Sequence, residues 1–150
     1  MRALQRIIPP GYLLLSLLLM LALHRYLPLL RLIPQPYNYT GVSLIVIGLC
    51  LGVLGAGMFR RAGTPVRPFH TSTALVVRGV FRYSRNPMYL GLLLILLGTA
   101  LLLGSLTPFL VIPLFFWVIS EGFVKHEERF LEQLFGEAYR EYRQRVRRWF

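Results

Sequence analysis

The stretch Pro87–Val124, PMYLGLLLILLGTALLLGSLTPFLVIPLFFWVISEGFV, decides the fold. It reads as two apolar runs, Pro87–Leu103 and Leu106–Val124, about a Gly104–Ser105 turn. A helix crosses a bilayer with about 20 mostly apolar residues. A turn this short joins antiparallel neighbours, so the stretch is expected to form a tight helical hairpin in a membrane. Pro108 fits the first turn of the second run. Pro113 sits deeper and is expected to kink it.

Two more runs precede the hairpin, Gly11–Ile33 and Tyr39–Phe59. His24, Arg25, Pro28 and Arg31 interrupt the second half of the first. Its core, Tyr12–Leu23, follows Arg2 and Arg6 as the apolar region of a signal peptide would. No small-x-small cleavage site comes after it, so it reads as an uncleaved anchor. In the other run Gly48 and Gly52 stand at GxxxG spacing, which predicts close helix–helix packing. The expected fold is all-α: an integral membrane bundle of about four transmembrane helices with a C-terminal amphipathic cytoplasmic helix. A single domain over residues 1–150 divides into two N-terminal spans (1–60), a cytoplasmic loop (61–86), the hairpin (87–124) and the final helix (125–150).

Composition supports this. Of 150 residues, 55% are hydrophobic and 15% charged, and the net charge is +11. A soluble domain carries about 25% charged residues. The basic residues are all arginine except Lys125, and no acid occurs before Glu121. The apolar runs between the Arg clusters point to an anionic membrane surface and away from nucleic acid. Cys50 is the single cysteine, so no intrachain disulfide forms. His24, His70, His126 and Cys50 are scattered, and no metal site is expected.

Lys/Arg placement sets orientation. Arg60, Arg61, Arg67, Arg78, Arg82 and Arg85 fall between spans two and three, and Lys125 with six arginines follows span four. Both termini and the 60–86 loop are therefore expected on the cytoplasmic side. Spans two and three are almost free of ionisable groups, which argues against a channel, a pump or a proton relay.

Chemistry is expected at the cytoplasmic boundary, where two segments stand out. In Thr73–Gly91, TALVVRGVFRYSRNPMYLG, Asn86-Pro87 reads as a helix start, with Asn as N-cap and Pro at the first helical position. Its free N–H groups and dipole would favour an anion, and Arg82 and Arg85 add charge. Taken alone, the pattern fits a capped span with snorkelling arginines. In Glu121–Phe150, EGFVKHEERFLEQLFGEAYREYRQRVRRWF, apolar residues recur at helical spacing, with Gly136 as the place for a break. Glu141 and Arg145 form an i,i+4 pair. An interfacial anchor explains most of this helix, with Arg143, Arg145, Arg147 and Arg148 on anionic headgroups. It does not explain Glu121, Glu127 and Glu128 beside a basic surface. Those acids need a cation, from Arg82, Arg85, Lys125 or a ligand.

Together, LVVRGVF, RNPMYLG and EERFLEQLFGEAYREYRQRV resemble the isoprenylcysteine carboxyl methyltransferase family, part of a wider group that includes phospholipid N-methyltransferases. The resemblance covers about residues 73–148. It implies an S-adenosylmethionine-dependent enzyme, with the cofactor in a cytoplasm-facing pocket and a lipid-like or prenylated acceptor reached from the membrane. By motif, Leu75, Val76 and Phe81 would line the cofactor pocket. Asn86, Pro87 and Tyr89 would form its helix-start wall, and Glu127 would contact the cofactor. Asn86 replaces the family's commoner His, which removes a titrating base. Phe123 stands where eukaryotic members carry an Arg.

The residues suit that chemistry. Glu127 or Glu128 can accept from ribose hydroxyls or an ammonium, and the helix start at Asn86 can take a carboxylate. Tyr83, Phe81 and Tyr89 offer ring faces. Glu127, Glu128 and Arg85 are the expected catalytic residues. A carboxylate acceptor needs no base, because both reactants lose charge in the transition state. An amine acceptor, as in a phospholipid N-methyltransferase, needs one, with Glu128 or Glu121 as candidates. The competing class is a non-catalytic membrane scaffold whose last helix docks on anionic lipid. Oligomeric state stays open.

Overall fold

A computed structural model describes residues 8–64 and 73–149, all as helices, turns and irregular segments apart from one isolated β-bridge. The helices are α1 (Pro9–Tyr26), α2 (Thr40–Arg61), α3 (Pro87–Leu103), α4 (Leu106–Phe109), α5 (Val111–Ile119), α6 (Lys125–Phe135) and α7 (Glu137–Arg145). Among the described residues two helices are long and apolar enough to cross a membrane, Tyr37–Arg61 and the nearly continuous Leu106–Phe135, and α3 is a shorter apolar helix.

The all-α expectation holds. The first hairpin arm and the turn fall where expected, but the second arm does not end at Val124 and runs on into α6 as far as Phe135. Gly104 ends α3 at φ 70, a left-handed conformation that glycine adopts without steric cost. Ser105 then enters α4 in extended geometry, with Pro108 buried in the first turn. The break expected at Pro113 falls at Leu110, between α4 and α5. Pro113 has no N–H to offer the carbonyl of Phe109, so the ladder loosens one turn before the proline itself.

The first run is shorter than expected. α1 stops at Tyr26, because Pro28 disfavours helical geometry at Leu27, whose φ is −139 and ψ 58. The chain beyond it folds onto the hairpin turn. The Leu32 N–H donates to the Gly104 carbonyl at 2.8 Å, and the Leu106 N–H to the Leu30 carbonyl at 2.9 Å. His24 Nδ1 lies 2.7 Å from Ser105 Oγ.

α2 and α3 pack antiparallel through glycine, in a register other than the expected one. Gly48 meets Gly91, Gly41 meets Gly98, and Gly55 meets Met88. A Cβ on Gly48 would lie 2.5 Å from the Gly91 carbonyl oxygen, and one on Gly91 equally close to that of Gly48. Gly52, the other half of the GxxxG pair, faces open space. The contact repeat is seven residues, Gly41–Gly48–Gly55 against Gly91–Gly98. The opposite face of α2 is exposed and apolar, with Val53 71% exposed.

On its other side α3 joins α1 and α5 in the core, where Met20, Leu96, Ala100, Val111, Phe115, Ile119 and Phe123 are buried. Between α5 and α6 one π turn, Ser120–Val124, carries the chain without leaving the helix. Such a widened turn rotates everything after it about the axis. The loop after α2 is closed at its neck, where Thr64 Oγ1 accepts from the Thr73 N–H at 2.8 Å.

Candidate functional site

The site is built where the start of α3, the start of α6, α7 and the chain after α7 meet. Adjacent helical residues point about 100° apart, so Glu127 and Glu128 face different partners. Glu128 is buried. Its Oε1 accepts from Arg85 Nη1 at 3.1 Å and Arg148 Nε at 3.0 Å, and its Oε2 from Arg148 Nη2 at 2.6 Å. The Arg85 and Glu128 side chains are 9% and 10% exposed. A buried carboxylate is tolerated only when paired and hydrogen-bonded in this way.

Glu127 has a different setting. Its Oε2 accepts from the Tyr89 hydroxyl at 3.0 Å. Tyr89 is buried on the first turn of α3, and Glu127 is half-buried. Among the described residues no cation pairs with Glu127. Of the three acids that needed partners, Glu121 has Lys125 and Glu128 has two arginines. Only Glu127 keeps a carboxylate with a neutral partner.

The start of α3 departs from the expected cap. Asn86 occupies the N-cap position and Pro87 the first helical one, but the Asn86 side chain makes no capping bond. Asn86 Nδ2 donates to the Arg148 carbonyl at 3.2 Å, and its backbone N–H to Ser84 Oγ at 3.1 Å. The extended chain after α7 supplies that carbonyl and draws the amide away. Arg148 itself, expected on lipid headgroups, turns inward and takes up the remaining acceptor sites of Glu128, both of whose oxygens it reaches. The expected Glu141–Arg145 pair forms at 3.1 Å on the exposed side of α7.

α7 is fastened from below. The Tyr142 hydroxyl donates to the Phe81 carbonyl at 2.7 Å. Phe81 is buried in the 3-10 turn Gly79–Arg82 and meets Phe59 edge-on at 5.3 Å. Tyr139 is fully buried and accepts from Arg85 Nη1 at 3.5 Å. Its hydroxyl pKa is raised, first by burial and then by the Glu128 charge, with Arg85 offsetting part of the shift. Burial also raises Tyr142, as does its neighbour Tyr139. Both remain neutral hydroxyls, Tyr142 as donor and Tyr139 as acceptor.

Of the residues singled out in the sequence, the structure brings Arg85, Asn86, Pro87, Tyr89, Glu127 and Glu128 to one region. Phe81 joins them through Tyr142. Leu75 and Val76 are half-buried in the irregular approach to the 3-10 turn. Tyr83, offered as a ring face, points outward and is 80% exposed. Arg148, Tyr139 and Ser84 were missed as partners. The unpaired acids were the signal that another cation had to arrive, and Arg148 is that cation. His70 lies outside the described residues, and no metal-holding group of side chains occurs among those that are described.

The arrangement fits a cationic or hydroxyl-bearing ligand on Glu127, beside the Tyr89 hydroxyl. No solved structure matches the chain. The chain is 32% identical over 111 residues to a probable protein-S-isoprenylcysteine O-methyltransferase of Oryza sativa subsp. indica, covering 73% of this chain and 58% of that relative. It is 36% identical over 72 residues to the protein-S-isoprenylcysteine O-methyltransferase of Schizosaccharomyces pombe, over 48% of this chain and 30% of the relative. The Saccharomyces cerevisiae protein of the same name is 33% identical over 72 residues, again 48% of this chain and 30% of the relative. The chain thus spans less than two thirds of the length of these relatives. The family model described as phospholipid methyltransferase matches residues 37–138, which take in the α2–α3 pair, the hairpin and both glutamates, and the chain belongs to that family.

Proposed function

We propose that the protein is a membrane methyltransferase that uses S-adenosylmethionine and methylates the carboxylate of a prenylated or lipid-like acceptor. Glu127 carries this reading: a half-buried carboxylate, oriented by Tyr89 and left without a cation. Such a group suits an ammonium or a ribose diol far better than it suits an empty interface. Bound, the cofactor supplies an electrophilic methyl group on a sulfonium. Glu127 holds it, and the Tyr89 hydroxyl fixes the carboxylate's direction. Phe81 and Tyr89, with Leu75 and Val76, supply the apolar surround. Glu128 with Arg85 and Arg148 holds the wall behind them, and the burial of Arg85 and Glu128 makes a water-poor setting, in which a reaction that neutralises charge is favoured.

Four membrane spans, with α1 and α3 beside the two longer helices, complete the proposal. The apolar exposed face of α2 then meets lipid. The basic loop and both termini lie on the cytoplasmic side, where α6 and α7 rest on anionic headgroups. The curated relatives' names favour an isoprenylcysteine acceptor, and the matching family's name favours a phospholipid.

The test is methyl transfer from labelled S-adenosylmethionine by the purified, lipid-reconstituted protein. The expected result is a base-labile methyl ester on an S-farnesylcysteine acceptor. Methylated ethanolamine lipid and no ester would replace the carboxylate by an amine. No transfer to either, by folded protein, would leave the scaffold reading.

A further inference from the structure

We infer that Arg148 is a positioning residue: from the extended tail after α7 it ties the start of α3 to the start of α6, and so holds Tyr89 and Glu127 in hydrogen-bond register. The inference rests on the methyltransferase reading and adds a residue to its site. Tyr89 and Glu127 stand on two helices whose backbones scarcely approach each other. Their spacing is therefore set by side chains and by the segments that flank them. After α7 the chain turns extended at Val146, with φ −123 and ψ 128, and crosses the start of α3. There the Arg148 carbonyl accepts from Ser84 Oγ and Asn86 Nδ2, both at 3.2 Å, and the Arg147 carbonyl from the Arg85 N–H at 3.1 Å. Tyr89 follows Asn86 within the first turn of α3.

The Arg148 side chain runs the other way, to α6. Its Nε donates to Glu128 Oε1 at 3.0 Å and its Nη2 to Oε2 at 2.6 Å, so the planar fork grips both oxygens and fixes the plane of the carboxylate. Arg85 adds one contact to the same carboxylate, Nη1 to Oε1 at 3.1 Å, and shares that nitrogen with the Tyr139 hydroxyl. Glu127 is the residue before Glu128, so a turn of α6 at Glu128 carries Glu127 with it. One residue thus grips both elements that make the Tyr89–Glu127 bond. That bond has little slack, since 3.0 Å is already the long end of the range for a hydroxyl donor. Trp149 packs against Phe116 with ring centroids 5.2 Å apart and keeps the tail against α5. Any residue could supply the tail's carbonyls; only the fork on Glu128 needs an arginine.

The experiment is a double-mutant cycle on the purified, detergent-solubilised full chain. Wild type, Arg148→Ala, Tyr89→Phe and the double variant are each titrated with S-adenosylmethionine by calorimetry, and thermal unfolding shows that each is folded. Arg148→Ala is expected to weaken binding about tenfold in the wild-type background, as the loss of one well-directed hydrogen bond does. It should weaken binding by less than about twofold where Tyr89→Phe has already removed that bond. A role through charge alone would act the other way, because removing a cation near Glu127 strengthens its hold on a cationic ligand. A merely structural role would give losses that multiply, to about a hundredfold in the double variant. If Arg148→Ala fails to fold, Arg148→Lys takes its place; it keeps the charge, loses the fork and should show the same non-additivity. Multiplied losses, unchanged binding or tighter binding in the Arg148 variants would overturn the positioning role and leave the methyltransferase reading standing. No binding to folded wild-type protein would remove both.

Discussion

The Tyr89 hydroxyl donates to Glu127 Oε2 at 3.0 Å, joining the first turn of α3 to the start of α6 across 38 residues of sequence. This contact orients the one acid at the interface that has no cation. Removing the hydroxyl should disturb ligand binding more than folding. Tyr89→Phe is expected to weaken S-adenosylhomocysteine binding by about tenfold, the loss of roughly one hydrogen bond that orients a charged group. Calorimetry should show this with little change in thermal unfolding.

Glu128 should behave in the opposite way. Its carboxylate is shared by Arg85 and Arg148, and Arg85 is buried with it. Glu128→Ala leaves that guanidinium uncompensated and is expected to cost about 3–5 kcal/mol of stability. Denaturant unfolding in detergent would report it. A mild effect would mean that water reaches Arg85 freely.

The α2–α3 contact makes a paired prediction. Gly48→Ala places a Cβ 2.5 Å from the Gly91 carbonyl and should force the helices apart, at a cost of about 1–3 kcal/mol. Gly52→Ala meets nothing and should be neutral or slightly stabilising, since alanine is the better helix former. Unfolding curves of the two variants, measured side by side, separate this register from the GxxxG one.

Alkaline pH should loosen α7. Burial raises the Tyr139 and Tyr142 hydroxyl pKa values above their ordinary value. The folded state therefore holds these protons more tightly than the unfolded state. The associated stability is fully present below about pH 10 and is lost as pH rises from there towards the folded values. Tyr139→Phe should flatten the decline in unfolding midpoint above pH 10. Tyr142→Phe should also lower stability at neutral pH by about 1–3 kcal/mol, because it orphans the Phe81 carbonyl.

The apolar runs made the first hairpin arm and its turn legible, since Gly104 and Ser105 interrupt an otherwise continuous signal; the end of the second arm was not, because the helix runs on past Val124 into the charged stretch of α6. The motif residues Asn86, Pro87, Tyr89, Glu127 and Glu128 were legible as a set and do come together. The glycine register was not. Gly48 and Gly52 look alike in one helix, and only the partner glycines Gly91 and Gly98 distinguish them. Neither was the tail legible, because it is held through the carbonyls of Arg147 and Arg148, which every residue carries. The π turn at Ser120–Val124 has no composition of its own, yet it helps set which way Glu127 and Glu128 point. The end of α1 was misplaced because apolar residues continue past Pro28, although that proline had already marked the boundary.

The most direct test of the central claim is a calorimetric titration of the folded, detergent-solubilised protein with S-adenosylmethionine and S-adenosylhomocysteine, beside Glu127→Ala. The account predicts saturable one-site binding to the native protein, weakened at least tenfold in the variant, as the loss of a charged hydrogen-bond partner of the ligand implies. Absence of binding to folded protein, in detergent and again in lipid, would contradict it, and so would binding that Glu127→Ala leaves unchanged.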